Sequence, residues 1–287
     1  MERTIIQPLI SVLISSLIAI RSYRRKSLDF YGALVAFLVM TIHFAVGYRF
    51  GAMLLIFFFT SSKLTEDGEV KKPLIDAGLK DVRRSNWVRV LLNSGVAAVL
   101  SVAVGSLTGW EDKCLDSNES VLVTGLIGGI IGHYACCNGD SWSSEIGVLS
   151  SERPWLVTTS KRVPRGTNGG VTKIGHVSAS AAGTVIGLVF VLVGLYTTSC
   201  FDRKAMKELS VIPLSTVAGL VGSIIRSLLG ATVQFSGFCV VRKKVVEKPG
   251  PTVRKISGRN YLDNDAVNLV SILLTTLITS IACVYIF

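Results

Sequence analysis

Long apolar runs and short polar breaks alternate along the whole chain. The apolar segments cover Ile5–Ile20, Leu28–Val46, Phe50–Ser62, Trp87–Thr108, Val121–Cys137, Val177–Thr198, Val211–Phe235 and Ala266–Phe287. Most approach the ~20 residues that carry a helix across the hydrocarbon core of a bilayer. Backbone amides find no water there, so each segment is expected as a helix rather than a strand. The pattern predicts an all-α, polytopic membrane protein with about eight transmembrane helices, although the shortest segments leave a re-entrant element open. Three longer polar loops fall near residues 63–86, 138–176 and 240–265. The chain reads as a single integral-membrane domain over residues 1–287, with 1–27 a less typical N-terminal helix and basic loop and 28–287 the core.

Charge supplies an independent check. Of 287 residues, 49% are hydrophobic, and 30 Lys and Arg against 19 Asp and Glu give a net charge of +11. Most of the cations cluster after the first, third, fifth and seventh apolar segments, beginning with Arg21, Arg24, Arg25 and Lys26. If every segment crosses, those loops share one face, which the positive-inside rule makes cytoplasmic. Only Arg203, Lys204 and Lys207 depart from the pattern. The opposite loop, Trp110–Ser120, carries Glu111, Asp112, Asp116 and Glu119. No basic strip interleaved with aromatics occurs, so nucleic acid is excluded as a partner and the lipid bilayer is expected. The basic residues follow Ile5–Ile20 instead of preceding it, which predicts an uncleaved helix. No transit extension precedes it, so a plasma-membrane or endomembrane location is expected in preference to a plastid.

Six cysteines, Cys114, Cys136, Cys137, Cys200, Cys239 and Cys283, form no CxxC pair, and most are expected to act as small hydrophobes. Three separated histidines argue against a zinc site, and His43 and His133 are expected to be packed or interfacial. His176 near Ser178 forms no recognisable hydrolase arrangement. Gly128 with Gly132, Gly183 with Gly187, and Gly219 near Gly222 predict close helix packing.

Candidate chemistry gathers in three polar stretches. Asn138-Gly139-Asp140-Ser141-Trp142-Ser143-Ser144-Glu145 places two carboxylates and several hydroxyls where an apolar segment ends. Asp140 and Glu145 are of the hard-oxygen type that Mg²⁺ prefers, while Asp140 or Ser141 capping a helix is the equally weighted alternative. Arg165-Gly166-Thr167-Asn168-Gly169-Gly170 with Lys161 and Lys173 offers turn glycines and cations that suit phosphates, or an ordinary tight turn. Asp263-Asn264-Asp265 with Asn268 opens the last helix, either as an N-cap or as a second cluster facing a metal or phosphate. Inside the membrane, Arg226 must face the bundle interior, a cavity or a carboxylate. A transporter is a third reading, carried by Arg226 alone.

The run Ala135–Gly147, Thr158-Thr159, Val163-Pro164, Gly166–Thr172, Leu228–Gln234 and Leu262–Asn268 together resemble the transmembrane protein 19 family, which includes the plant phytyl-phosphate kinase. The likeness runs from about residue 28 to the C-terminus and embraces plant plasma-membrane regulators of the glucose response. It implies one of two functions: a Mg²⁺-dependent kinase of isoprenyl phosphates using CTP or ATP, or a non-catalytic regulator of sugar response and growth that keeps the scaffold. In the kinase reading Asp140 and Glu145 bind metal, with Asp263 beside them in the catalytic set. Lys161, Arg165, Gly166, Thr167, Asn168, Gly169, Gly170 and Lys173, with Asn138, Asn264 and Asn268, then hold nucleotide and phosphates. Two positions depart from the family pattern: Arg226 stands where Asp is usual, and Arg89 where Gln is usual. A cation at position 226 removes a metal ligand.

Overall fold

The computed structural model describes residues 2–71, 87–198, 200 and 203–287. Its helices are α1 (Glu2–Arg24), α2 (Phe30–Val46), α3 (Tyr48–Lys71), α4 (Trp87–Thr108), α5 (Val121–Val148), α6 (Lys173–Thr197), the short α7 (Arg203–Glu208), α8 (Val211–Thr232) and α9 (Asn264–Ile286). Six are long and apolar enough to cross a membrane, and α2 is a shorter apolar helix. Residues 72–86, which hold several cations of the first long polar loop, lie outside the described residues.

Side-chain caps set the starts of several helices. Asp29, Ser120, Thr172 and Asp263 each accept an N–H from the first turn of α2, α5, α6 and α9, at 2.6, 3.3, 3.1 and 2.8 Å. These contacts satisfy amides that the helix itself leaves unpaired. α2 ends at Gly47, whose backbone is extended, and α3 begins at once.

α5 forms the core. It packs against α3, α4, α6, α8 and α9, and 83% of its apolar window is buried, against 22% for α1 at the periphery. Glycine permits these approaches. A methyl on Gly132 would lie 2.5 Å from Thr279 of α9, and one on Gly183 of α6 would lie 2.2 Å from the Ser215 carbonyl of α8. Gly139 meets the backbone of Gly219 in the same way. Where lipid removes the hydrophobic drive between helices, such van der Waals contact supplies much of the association.

The two ends of the bundle differ. At one end Arg49, in the first turn of α3, reaches the loop between α4 and α5. Further along α3, Thr60 donates to Asn138 near the far end of α5, so α3 runs from one end toward the other. α1 and α2 are antiparallel, because Gln7 near the start of α1 donates to the carbonyls of Phe44 and Ala45 at the end of α2. A disulfide, Cys114–Cys200, marks the first end. The sequence reading named no pairing for these two cysteines; the other four are free and buried, as expected of most.

The opposite, basic end carries two small antiparallel sheets that the helical reading did not foresee. β1 (Trp155–Leu156) pairs with β2 (Gly170–Val171), and β3 (Ser236–Cys239) lies between β4 (Lys244–Val246) and β5 (Val253–Ser257). Strands this short leave too few alternations to read from a sequence. The fold nevertheless stays mostly helical, at 70%.

The buried histidines are packed. His43 Nδ1 faces the Val39 carbonyl at 2.8 Å, so it must donate, and the Tyr134 hydroxyl then donates to Nε2 at 2.7 Å. His133 Nε2 likewise donates to the Asn93 carbonyl at 2.8 Å.

Candidate cleft at the basic end

The polar run 138–145 is neither a loop nor the start of a helix. α5 continues unbroken to Val148, so Asp140 caps nothing and the loop begins after the helix. One face of its last turns, Asp140, Ser143, Ser144 and Gly147, follows the i, i+3, i+4, i+7 spacing of a helix and lines a cleft of about 190 Å³. Glu145 is five residues beyond Asp140, roughly 140° around the helix, and does not line it.

α8 supplies the facing wall through Ser223, Arg226 and Ser227, again at i, i+3, i+4. Arg226 Nε lies 2.9 Å from Asp140 Oδ2, a close ion pair that lacks the alignment of a hydrogen bond. Arg226 Nη2 also donates to Asn264 Oδ1 at 2.8 Å, tying α8 to the first turn of α9. The Ser223 hydroxyl donates to Ser143 Oγ at 3.0 Å across the floor. The start of α6 contributes Thr172, Gly175 and His176, and the loop from Arg165 to Val171 forms the rim.

That rim is held from within. Gly166 and Gly169 adopt φ of 83° and 78°, where a side chain would be strained. The amides of Thr167 and Gly170 donate to the carbonyls of Pro164 and Thr167, and the Asn168 amide donates to Ser236 Oγ. Three amide donors expected to converge on an anion are therefore engaged inside the fold, as a tight turn requires. What the cleft offers an anion is the guanidiniums of Arg165 and Arg226, the hydroxyls, and the positive end of α6.

The remaining expected residues are dispersed. Asn138 is fully buried, accepting from Thr60 and donating Nδ2–H to the Ala182 carbonyl at 3.1 Å, so it joins α3, α5 and α6. Lys161 and Lys173 are exposed and do not line the cleft. Asp263 is the N-cap of α9 and Asn268 pairs with Asn93 at 3.3 Å, so neither reaches the cleft walls. Mg²⁺ requires several oxygen ligands, and among the described residues the only carboxylate lining this cleft is Asp140, which faces a guanidinium. The residues present do not fit that ion.

Reading by sequence missed a second ion-pair centre, at the disulfide end. Arg49 is fully buried. Its Nε donates to Asp112 Oδ1 at 2.7 Å, its Nη1 to both Glu208 oxygens at 3.2 and 3.3 Å, and its Nη2 to the Lys113 carbonyl. The Phe190 ring lies 4.3 Å from the guanidinium carbon. Glu208 also accepts the Leu115 amide, Asp112 accepts the Thr198 hydroxyl, and Cys200 Sγ lies 3.7 Å from Glu208.

Comparison with known proteins places this architecture among relatives. Residues 13–276 match the family described as integral membrane protein DUF92. Protein PGR of Arabidopsis thaliana is 65% identical over 277 residues, 96% of each chain. An uncharacterized membrane protein of Methanocaldococcus jannaschii is 25% identical, over 82% of this chain and 86% of its own. One of Synechocystis is 26% identical over 66% and 65%. No solved structure matches.

Proposed function

The chain belongs to the integral membrane protein DUF92 family, and from that premise we propose that it binds a phosphate-bearing lipid in the cleft at the basic end. The ligand class is an isoprenyl monophosphate: the phosphate lies against Arg226 and Arg165, and the tail extends between helices into the bilayer. The protein then acts as a regulator in a plant membrane response to sugar, without turnover. The observation that carries this is the Arg226–Asp140 pair at 2.9 Å. A guanidinium beside the cleft's carboxylate favours an anion and opposes a divalent cation. The same proposal places the basic end in the cytoplasm, at the plasma membrane or an endomembrane. Two independent features support that orientation: the clustering of Lys and Arg, and a disulfide at the other end, of the kind that persists in oxidising compartments.

Phosphoryl transfer from CTP or ATP is the second reading, favoured by the sharing of one cleft by Asp140, Ser143 and the glycine-rich rim; any Mg²⁺ would have to arrive on the nucleotide's phosphates, since this lining does not hold it. One experiment separates the two. Purified protein in nanodiscs is given geranylgeranyl monophosphate, with and without radiolabelled nucleotide and Mg²⁺. Saturable binding without diphosphate product is expected, weakened about tenfold or more by Arg226→Gln, since a charge-assisted contact is lost. Diphosphate formation by the unaltered protein would establish the kinase instead. Unchanged binding in the variant would refute Arg226 as the anchor.

A further inference from the structure

A second concave surface adjoins the cleft and shares Arg165 with it. This groove, about 420 Å³, is lined by Ser151, Arg153, Arg162, Val163, Pro164 and Arg165. All three guanidinium side chains are exposed, and among the described residues none that lines the groove is acidic. Arg162 and Arg165 are positioned by neutral partners. Arg162 Nη1 donates to the Arg153 carbonyl, and Arg165 Nη2 donates to the carbonyls of Ser150 and Ser151, at 2.6 and 3.1 Å for the latter pair. Arg162 also stacks over Trp155 at 5.5 Å, where β1 and β2 anchor the loop.

The chemistry follows from that arrangement. A carbonyl partner fixes a guanidinium's orientation and leaves its full charge in place. Three cations on one concave wall then raise the local potential, and each guanidinium has more N–H donors than its carbonyl contacts use. Arginine forks match phosphate oxygens in pairs, and several forks together match several phosphates better than one. We propose that this groove is a second anion site, separate from the cleft, for a multiply phosphorylated group. The aromatic face beside it is covered by Arg162, so recognition rests on the phosphates and offers no stacking platform for a nucleobase. A soluble inositol polyphosphate and a phosphoinositide headgroup share that chemistry.

The test uses the full chain in phosphatidylcholine nanodiscs, with inositol hexakisphosphate as the probe. Arg153→Gln with Arg162→Gln should raise its Kd about tenfold or more and flatten the salt dependence of binding. Arg226→Gln should leave it unchanged, which separates this site from the lipid-phosphate cleft. Nanodiscs containing phosphatidylinositol bisphosphate that displace the probe assign a lipid source, and failure to displace it assigns a soluble one. Phenylglyoxal labelling of the unaltered protein supplies a readout that needs no variant: the probe should protect Arg153 and Arg162. Binding of neither probe nor phosphoinositide, equal binding by the double variant, or labelling that the probe leaves unchanged would each overturn the proposal.

Discussion

Arg49 and Arg226 are both arginines held against carboxylates by the ends of membrane helices, yet their surroundings give them opposite work. Arg49 has no exposure, faces two carboxylates and a carbonyl, and is covered by an aromatic ring. Its donors point at fixed acceptors on two different segments, the α4–α5 loop and α7, and little remains to address a ligand. Arg226 has a quarter of its side chain open, meets one carboxylate without hydrogen-bond alignment, and lines a cavity. Saturation makes the first a clasp. Incomplete satisfaction beside a cavity makes the second available to an incoming anion.

Removing the clasp should produce the largest effect. Arg49→Leu would leave Asp112 and Glu208 buried without their cation, and breaking such a pair costs about 3–5 kcal/mol. Thermal unfolding of the detergent-solubilised variant should show a pronounced drop in Tm, or no folded protein. Near-native unfolding would mean that the carboxylates relax to solvent, and the contrast between the two arginines would lose its basis.

The disulfide should come next. Cys114–Cys200 joins the α4–α5 loop to the segment after α6 across 86 residues, beside the same Glu208. Cys114→Ser with Cys200→Ser should lower stability by about 2–4 kcal/mol, the usual range for such a crosslink. The arginine cleft lies at the other end, so lipid-phosphate binding by the surviving folded fraction should be unaltered. Loss of that binding at full occupancy would show that the two ends are coupled.

The sequence made some of this arrangement legible. Helix starts were visible where a capping side chain precedes an apolar run, and Asp263 does what its position implies. The glycine pairs foretold close packing because a missing Cβ has few other uses inside a membrane helix. Arg226 had to find a cavity or a carboxylate, and it found both. The polar end of α5 was misread because polarity was taken as the end of a helix, although Asp140, Ser143, Ser144 and Gly147 already carried helical spacing. Ser223 and Ser227 share that spacing with Arg226 and escaped notice among apolar neighbours. Arg49 and the cysteine pair were illegible for a different reason. Their partners lie far along the chain, and no local pattern records a contact made by tertiary folding.

The smallest effect on stability should come from Arg226→Gln, and that smallness is what sharpens the comparison. Asp140 keeps about a fifth of its side chain exposed, so water can replace the lost guanidinium. Exposed ion pairs contribute roughly 0–1 kcal/mol and breaking a fully buried one costs about 3–5 kcal/mol, so this partly buried pair falls between them. Unfolding of Arg226→Gln should therefore be perturbed less than that of Arg49→Leu, even as lipid-phosphate affinity falls. Arg226→Lys should restore part of that affinity, because a point charge keeps the attraction but loses the planar fork. A stability loss as large as that of Arg49→Leu would make Arg226 a second clasp, and the weakened binding would then follow from a distorted bundle rather than from a missing contact.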